Sequence, residues 1–487
     1  MTDNRIKRNH NIIKLKGMRL SIAFCLQFLI ICNVALAQKI NWVYSTQNSP
    51  WTTKSGLLLN NKPAEKADIV IYPEERMQQM EGFGACFNEL GWEALLSLSE
   101  KERSNILNEL FTKEGLNFTL CRMPLGSNDY SLSYYSYNDV PDDFEMKNFN
   151  IDRDRYILIP YIKAAKKIRP GLKIWASPWT PPIWMKVNNH YAMGANNKEK
   201  TMDPGKAIGN NATAFKMENR YLNAYSLYFS KFVQAYKKEG IDISSVMVQN
   251  EPIYQPHWQS CTWRPDDLAY FIGKFLGPQF QKDSLNSEIW LGTVNSADPN
   301  YTRTILNNKD AAKYIKGVGM QWDAKNAISA IHKEYPSYPL MQTESECGDG
   351  ENNWKSAEHT WSLINQYISN GARSYMYWNM VLDQSGRSTW GWIQNMLIAI
   401  NKSTGEVKYN PEFYLMKHLS HYVQPGAHLL KTSGGKNHLA FINPNGELVL
   451  MLVNTEANDR ETYVTAGARS LKVPLKAKSI NTFVWHN

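Results

Sequence analysis

Short apolar runs alternate with longer amphipathic stretches through the middle of the chain. Helical periodicity, with apolar residues about 3.6 positions apart, marks residues 155–168, 220–237 and 352–368. Eight strand–helix repeats over roughly 340 residues predict an α/β fold, a (β/α)8 TIM barrel, from residue 81 to residue 419. The eight strands are predicted at 82–87, 118–125, 172–179, 245–250, 289–294, 317–322, 340–343 and 374–380.

Strand patterns without intervening helices flank this region. They fill residues 38–80 and return in residues 420–487, for example in the apolar run 448–453. Neither segment makes a convincing domain alone, so we expect both chain ends to form one β-sandwich packed on the barrel. The alternative is two unrelated appendages. No Pro/Ser-rich linker precedes the C-terminal segment, which favours a docked side domain over a mobile module.

Residues 1–37 have the pattern of a secretory signal peptide. Six basic side chains and one acidic side chain precede the apolar run 20–31, and small residues at 35–37 suit cleavage before Gln38. The run is shorter than the about 20 apolar residues that cross a bilayer. We therefore predict an exported protein, periplasmic, extracellular or on the cell surface, with no membrane span in the mature chain. The alternatives are an uncleaved anchor and lipidation at Cys32.

The charge of the mature chain is close to balanced. The full sequence holds 54 Lys and Arg against 45 Asp and Glu. Without the six basic residues and one acidic residue of the predicted signal, 48 and 44 remain. The basic balance of the full chain therefore gives little support to a nucleic-acid partner. Aromatic residues make up 12% of the chain, and their faces can stack on sugar rings, although most aromatic side chains fill cores.

Four cysteines lie beyond the predicted signal peptide, and no two of them form a C-x-x-C pair. In an exported chain, four cysteines permit two disulfides in three connectivities. The positions are compatible with one bridge, and they do not suggest a zinc site. The four residues are Cys86, Cys121, Cys261 and Cys347.

Two predicted barrel strands end in a glutamate. The run 246–250 leads to Glu251, and the run 339–343 leads to Glu344. The carboxyl ends of all barrel strands meet at one rim, so the two carboxylates are expected to face each other. A retaining glycoside hydrolase needs such a pair, one as acid/base and one as nucleophile, about 5–5.5 Å apart. Glu251 suits the acid/base role and Glu344 the nucleophile. Arg122 is placed to lower the pKa of Glu344 and is also included among the substrate-binding residues, with a purely structural ion pair as the alternative.

Neither assignment is free of alternatives. An isolated glutamate at a strand end is more often a solvated surface residue. The run Thr343-Glu344-Ser345-Glu346 also holds a second candidate nucleophile. We prefer Glu344 because it directly continues the buried run. Acid/base and nucleophilic steps need neither a metal nor a cofactor, so we expect none.

Several motifs follow one another along nearly all of the mature chain: Gly82-Phe83-Gly84, residues 122–130, 141–144 and 176–182, Asn250-Glu251-Pro252, Trp378-Asn379 and residues 479–483. Their order and spacing resemble glycoside hydrolase family 30, and the loops 254–265 and 344–350 look most like those of its endo-β-1,6-glucanase branch. The resemblance implies acid/base Glu251 and nucleophile Glu344. It also implies a sugar-binding group of Asp129, Trp179, Asn250 and Trp378.

The sequence departs from the family pattern in two places. One is the additional Glu346. The other is Gln321-Trp322-Asp323, where many relatives have a tyrosine that is hydrogen-bonded to the nucleophile. Trp322 is therefore a subsite candidate, with core packing nearly as plausible.

The loop 254–265 follows the predicted acid/base and carries His257, Trp258 and Trp263. Such a loop can bind the leaving sugar, and we include His257 as a leaving-group contact. The alternative for His257 is a solvated loop residue.

The sequence predicts a secreted retaining hydrolase that cleaves a β-glucan polysaccharide or oligosaccharide, as an endo-β-1,6-glucanase. The alternatives within the family are an exo-β-glucosidase, a glucosylceramidase or a xylanase. An alternative of a different class is a non-catalytic carbohydrate-binding protein that keeps the barrel as a sugar receptor.

Overall fold

The computed structural model describes residues 40–195, 202–209 and 212–486. The predicted signal peptide lies outside these residues. Within the described ranges, no helix combines the length and the apolar character that a membrane crossing requires. Three strands come first along the chain: β1 (Asn41–Thr46), β2 (Ser49–Lys54) and β3 (Ile69–Gln79).

The next eight strands pair in parallel and close into a barrel. Each overlaps one of the eight predicted strands, which confirms the predicted TIM barrel. They are β4 (Gly82–Cys86), β5 (Leu120–Pro124), β6 (Lys173–Ser177), β7 (Ile243–Met247), β8 (Glu288–Val294), β9 (Ile315–Met320), β10 (Leu340–Gln342) and β11 (Ala372–Asn379).

Helices surround the barrel and present their apolar stripes to it. Asn219–Lys238 buries Leu222, Tyr225, Phe229 and Val233, which recur every three or four residues along one face. The predicted helix 155–168 is divided in two at Ile157. The described α-helices are Glu89–Leu96, Glu100–Phe111, Asp152–Tyr156, Leu158–Ile168, Asn219–Lys238, Pro265–Phe271, Gly277–Lys282, Asn300–Asn307, Lys309–Ala312, Ile328–Glu334, Trp354–Ser369 and Pro411–Ser420, with a π-helical segment at Ile272–Leu276 and 3₁₀ turns at Ile183–Met185, Pro204–Lys206 and Trp322–Asn326.

Large apolar side chains fill the inside of the barrel below its rim. Six strands each contribute one buried residue to a cluster separate from the rest of the core. Large interior side chains make a TIM barrel a packed core rather than a pore, and they give the rim a rigid floor. The six are Leu120, Trp175, Met247, Trp290, Met341 and Met376.

Both ends of the described chain build the side domain, as predicted. The remaining strands are β12 (Val381–Asp383), β13 (Ile398–Ile400), β14 (Val407–Tyr409), β15 (His428–Ser433), β16 (His438–Ile442), β17 (Glu447–Asn454), β18 (Arg460–Ala466), β19 (Arg469–Leu475) and β20 (Ser479–His486). The nine strands of the side domain run in the order β19-β18-β3-β15-β16-β17-β20-β1-β2. Strands β12, β13 and β14, which follow the last barrel strand in the sequence, form a small separate sheet.

The side domain docks on the barrel through alternate residues of its central strands. Phe441 and Val449 belong to the large apolar cluster of the barrel, whereas Ala440 and Leu450 belong to the inner cluster of the side domain. Successive side chains of a strand point to opposite faces, so the same strands serve both cores. The two parts therefore share one continuous packed interface.

The cysteines do not form the bridge that the sequence allowed. All four are buried and free. Cys86 on β4 is paired in register with Arg122 on β5. Cys121 directly precedes Arg122 in β5 and therefore points to the opposite face of the sheet. Adjacent strands thus place the thiols of Cys86 and Cys121 on different sides of the barrel wall.

Replacing Phe441 by Ala should destabilise the whole chain and not only the side domain. Phe441 is fully buried at the docking interface, and truncation of such a side chain costs about 3–5 kcal/mol. We expect one cooperative thermal transition at a lower temperature. The matched control is Tyr156→Ala, where the ring is 80% exposed and the change should stay within about 0.5 kcal/mol. Two separated transitions in the Phe441→Ala variant would contradict the shared interface.

Candidate active site

Glu251 and Glu344 meet at the carboxyl end of the barrel. Glu251 follows β7 and Glu344 follows β10, and β8 and β9 lie between these two strands around the rim. The side-chain amide of Gln321 donates to both, at 3.0 Å to Glu251 Oε1 and 3.2 Å to Glu344 Oε2. Two carboxylates that are distant in the sequence therefore share one hydrogen-bond donor.

Glu344 receives hydrogen bonds on both carboxylate oxygens. Arg122 Nη1 donates to Oε2 at 2.6 Å, and the indole nitrogen of Trp322 donates to Oε1 at 3.2 Å. The support for this carboxylate, which the sequence left open in the absence of the expected tyrosine, thus comes from Trp322 and Gln321. Every donor here favours the ionised form of Glu344.

Arg122 lies beneath the site rather than in it. Its side chain is fully buried, and its second terminal nitrogen donates to Asn250 Oδ1 at 2.6 Å and to Ser177 Oγ at 2.9 Å. The guanidinium packs 4.3 Å from the ring centroid of Trp179. The prediction that Arg122 contacts substrate is therefore corrected: it aligns Glu344 and Asn250 from below.

The two glutamates differ in their electrostatic surroundings. Burial and the nearby charge of Glu344 raise the pKa of Glu251 to about 8, and the hydrogen bond from Gln321 opposes this only in part. Burial also raises the pKa of Glu344, but the Arg122 guanidinium and the donors Trp322 and Gln321 counter that effect. Glu344 is the carboxyl more readily ionised, and Glu251 the one more readily protonated.

Glu346 is directed away from the other two carboxylates. It accepts from Lys325 Nζ at 2.5 Å and lies 3.2 Å from His359 Nε2. Burial raises its pKa, but the hydrogen bonds from His359 and Lys325 outweigh this and lower it below the usual value. Of the two candidate nucleophiles, only Glu344 lines the cavity at the barrel mouth.

A cavity of about 240 Å³ opens above the two glutamates. Four of the predicted sugar-binding or subsite residues line it: Asp129, Trp179, Asn250 and Trp322. Aromatic faces and polar groups thus converge on one space, as is typical of a small-molecule site. The full lining is Asp129, Trp179, Asn250, Glu251, Tyr254, Trp258, Asn295, Trp322, Asp323, Glu344, Trp392 and Gln394.

Two other predicted residues do not line the cavity. Trp378 is buried behind Trp179, with its ring stacked 5.4 Å from the Trp179 ring. Trp378 therefore packs against Trp179, and its place in the sugar-binding group stays a prediction. The ring of His257 lies 3.2 Å from the carbonyl oxygen of Trp390, which holds it within the loops. Trp263, also on the loop of His257, is core, with its indole nitrogen bonded to Gln249.

Several lining residues were not singled out from the sequence. Asn295 directly follows β8 and Asp323 lies just beyond β9, so their place at strand ends was an available signal. Trp392 and Gln394 come from the long segment after β12, where no strand or helix pattern marks them. Trp258 packs against Trp392 at 5.5 Å and joins the loops that follow β7 and β12.

Two oxygens of the cavity have no hydrogen-bonding partner among the described residues, namely Asp129 Oδ1 and Asn295 Oδ1. Buried polar atoms are normally paired, so unpaired atoms at a cavity wall indicate contacts that a ligand completes. Burial, followed by the charge of Glu344, raises the pKa of Asp129 to about 8. A protonated Asp129 both donates to and accepts from hydroxyl groups.

The arrangement combines a proton donor, an anionic oxygen and a sugar-sized space. Within the described ranges, no cluster of three or more His, Cys, Asp or Glu side chains could hold a metal ion. The cavity presents carboxyl groups, amides and indoles to a ligand.

Comparison with known proteins identifies the domains. Residues 80–423 match the glycosyl hydrolase family 30 TIM-barrel domain, and residues 426–483 match the glycosyl hydrolase family 30 beta sandwich domain. The protein named “Putative glucosylceramidase 1” of Caenorhabditis elegans is 30% identical over 421 residues, which are 81% of this chain and 77% of that protein. An endo-1,6-beta-D-glucanase of Aspergillus fumigatus is 28% identical over 417 residues, 81% of each chain.

A solved structure has the same architecture along its whole length. The endo-beta1,6-glucanase BT3312 superposes with a TM-score of 0.77 at 25% identity, covering 92% of this chain and 100% of the other. The agreement extends over barrel and side domain together. With both family models matched in sequence order, the chain belongs to glycosyl hydrolase family 30 and is a glycoside hydrolase.

Proposed function

We propose that this protein is an exported hydrolase that cleaves β-1,6-linked glucan internally with retention of configuration. Glu251 acts as acid/base and Glu344 as nucleophile. The observation that carries the proposal is the single Gln321 amide that donates to both carboxylates, at 3.0 Å and 3.2 Å. Export rests on the signal-like pattern of residues 1–37.

The shared donor supports retention. Two oxygens bonded to one nitrogen cannot be further apart than the two bond distances together. For these two oxygens the limit is below about 6.5 Å, where the carboxyl separations of inverting enzymes begin, which favours the closer spacing of retaining enzymes. A retaining enzyme needs a gap that admits the anomeric carbon directly, without an intervening water. The arrangement of Glu251 and Glu344 suits direct attack by Glu344.

The difference in protonation supports the division of roles. Glu344 is bonded to the Arg122 guanidinium and attacks as the carboxylate, while Glu251 protonates the leaving oxygen. Formation of the glycosyl-enzyme removes the charge of Glu344. The pKa of Glu251 then falls, because the largest charge opposing its ionisation is gone. Glu251 becomes the base that activates water in the second step.

Asn250 completes the reacting centre. Its Oδ1 accepts from Arg122 at 2.6 Å and from Thr293 Oγ1 at 3.0 Å, so the amide group is held in one orientation. With the oxygen occupied, the amide NH2 is the group left to bind a sugar hydroxyl. A hydrogen bond to the 2-hydroxyl strengthens as positive charge develops on the ring.

The glucan assignment rests on the polar wall next to Glu251. Asn295 follows β8 and Asp323 follows β9, the strands between those of the two glutamates. A leaving sugar offers hydroxyl groups to both side chains. An acyl or sphingoid chain would remove them from water without a partner, which is unfavourable. The likeness to two proteins named as endo-1,6-beta-glucanases points in the same direction.

Changing Glu344 to Gln should abolish hydrolysis of every substrate at any pH, because the amide cannot form the glycosyl-enzyme. A 2-fluoro glucoside inactivator should label the wild type at Glu344 only. Mass spectrometry of the proteolytic peptides identifies the labelled residue. The control is Glu346→Gln, which removes the neighbouring carboxylate and should still be labelled. Loss of labelling in Glu346→Gln with labelling kept in Glu344→Gln would assign the nucleophile to Glu346.

The pH profile of kcat/KM should lose activity as the pH rises through about 8, where Glu251 gives up its proton. Activity requires the protonated form of Glu251, which is lost as the pH rises, so this is the alkaline limb of the profile. Glu251→Ala should lack this limb on a dinitrophenyl glucoside, whose leaving group needs no proton. Added azide should then give a β-glucosyl azide. An unchanged alkaline limb in Glu251→Ala, or an α-azide product, contradicts the assignment.

Hydrolysis of β-1,6-, β-1,3- and β-1,4-glucans, xylan and glucosylceramide should favour the β-1,6-linked polymer. Early digestion is expected to give a ladder of gentio-oligosaccharides, seen by chromatography of the products. Glucose alone from the first time point would replace the endo assignment by an exo-β-glucosidase. Preference for glucosylceramide would overturn the argument from Asn295 and Asp323.

A further inference from the structure

One short turn contacts two glutamates of the loop that follows β10, Glu344 and Glu346. The 3₁₀ turn Trp322–Asn326 follows β9. At its first residue, the indole nitrogen of Trp322 donates to Glu344 Oε1 at 3.2 Å. At its fourth residue, Lys325 Nζ donates to Glu346 Oε1 at 2.5 Å. The turn thus holds two residues of the loop that follows β10.

Trp322 is held in a backbone conformation that it does not favour. Its φ is +50°, a region that bulky residues rarely adopt. Such a conformation persists only where the surroundings fix it. The hydroxyl of Tyr367 donates to the Trp322 carbonyl at 3.3 Å, and the Gln366 amide donates to the Lys325 carbonyl at 2.9 Å. The Lys325–Glu346 pair is a charged link from the turn to the nucleophile loop.

The hydrogen bond from the Trp322 indole depends on how the turn is held. An indole N–H only donates, and a donor next to a carboxylate favours its ionised form. The indole is rigid, so its N–H reaches Glu344 only when the turn has the correct orientation. This hydrogen bond therefore needs a device that fixes the turn.

We propose that the Lys325–Glu346 ion pair is this device, and that Trp322, positioned by it, keeps Glu344 ionised and correctly oriented. The inference rests on the proposed role of Glu344 as nucleophile. Lys325 and Glu346 do not touch substrate and are positioning residues. Their side chains are only 24% and 14% exposed, so solvent screens the pair less than it screens a surface ion pair.

Other groups around Glu344 limit the size of the effect. Arg122 lies beneath it, and Glu251 and Asp129 face it across the cavity. The thiols of Cys86 and Cys347 are also close enough to interact with its charge. Arg122 and Gln321 remain as donors when the indole N–H is removed. The loss should therefore be partial.

The test compares Trp322→Phe, Lys325→Met and Glu346→Gln. Trp322→Phe removes the N–H and keeps a ring, so kcat/KM should fall about 10- to 100-fold, the range for one hydrogen bond to a charged group. The acidic limb of the pH profile should move to higher pH. Lys325→Met and Glu346→Gln should move that limb in the same direction. Lys325→Arg keeps the charge and should lose less than about threefold.

A double-mutant cycle tests the coupling. Lys325→Met added to Trp322→Phe should cause little further loss, because the pair acts through the indole. The matched control is Lys274→Met, which breaks an ion pair of 2.6 Å to Asp310 on the outer helices and should leave activity unchanged. The thermal transition of each variant reports folding. The nearly isosteric Glu346→Gln carries the test if Lys325→Met does not fold.

The outcomes separate the two proposals. An acidic limb that stays in place in both Lys325→Met and Glu346→Gln overturns the positioning role. Additive losses in the cycle also overturn it, because the pair would then act independently of Trp322. Fluoroglucoside labelling that persists in Glu344→Gln overturns the proposed nucleophile itself, whatever the limb does.

Discussion

The buried guanidinium of Arg122 is the interaction on which the site depends. A buried charge without partners is strongly unfavourable, so its donors must be satisfied in fixed positions. Glu344, Asn250 and Ser177 satisfy them, and they come from the ends of three different barrel strands. The barrel must therefore close with these strands in register for the charge to be buried at all. Folding and alignment of the candidate catalytic groups are one requirement.

The same charge makes the two glutamates unequal. Arg122 contacts Glu344 directly at 2.6 Å, whereas Glu251 is bonded to the neutral Gln321 amide. Burial raises the pKa of both carboxyl groups. The Arg122 charge opposes this effect strongly at Glu344, which it contacts, whereas at Glu251 the charge of Glu344 outweighs it. The Gln321 amide is shared by both carboxyl groups, so the difference follows from which strand end contacts the guanidinium.

The sequence predicted the two central glutamates of the site better than the residues that form its walls. Glu251 and Glu344 were identified because each follows an apolar strand run, and strand ends in a barrel converge. Burial depth leaves no such signal: Trp378 stands at a strand end too, yet it packs behind Trp179. Whether Cys86 and Cys121 could form a disulfide likewise depended on which face of the barrel wall each side chain occupies. That choice follows from register with the neighbouring strand, which sequence patterns do not show.

The walls were hard to predict because the loops bind one another. Tyr130 donates to the carbonyl of Gly386 at 3.0 Å, and Thr389 donates to the carbonyl of Ser131. These bonds join the loops after β5 and β12, as the contact of Trp258 with Trp392 joins those after β7 and β12. Such loops can change together without disturbing Arg122 below. A family can therefore keep one reacting centre while its substrate range varies at the rim.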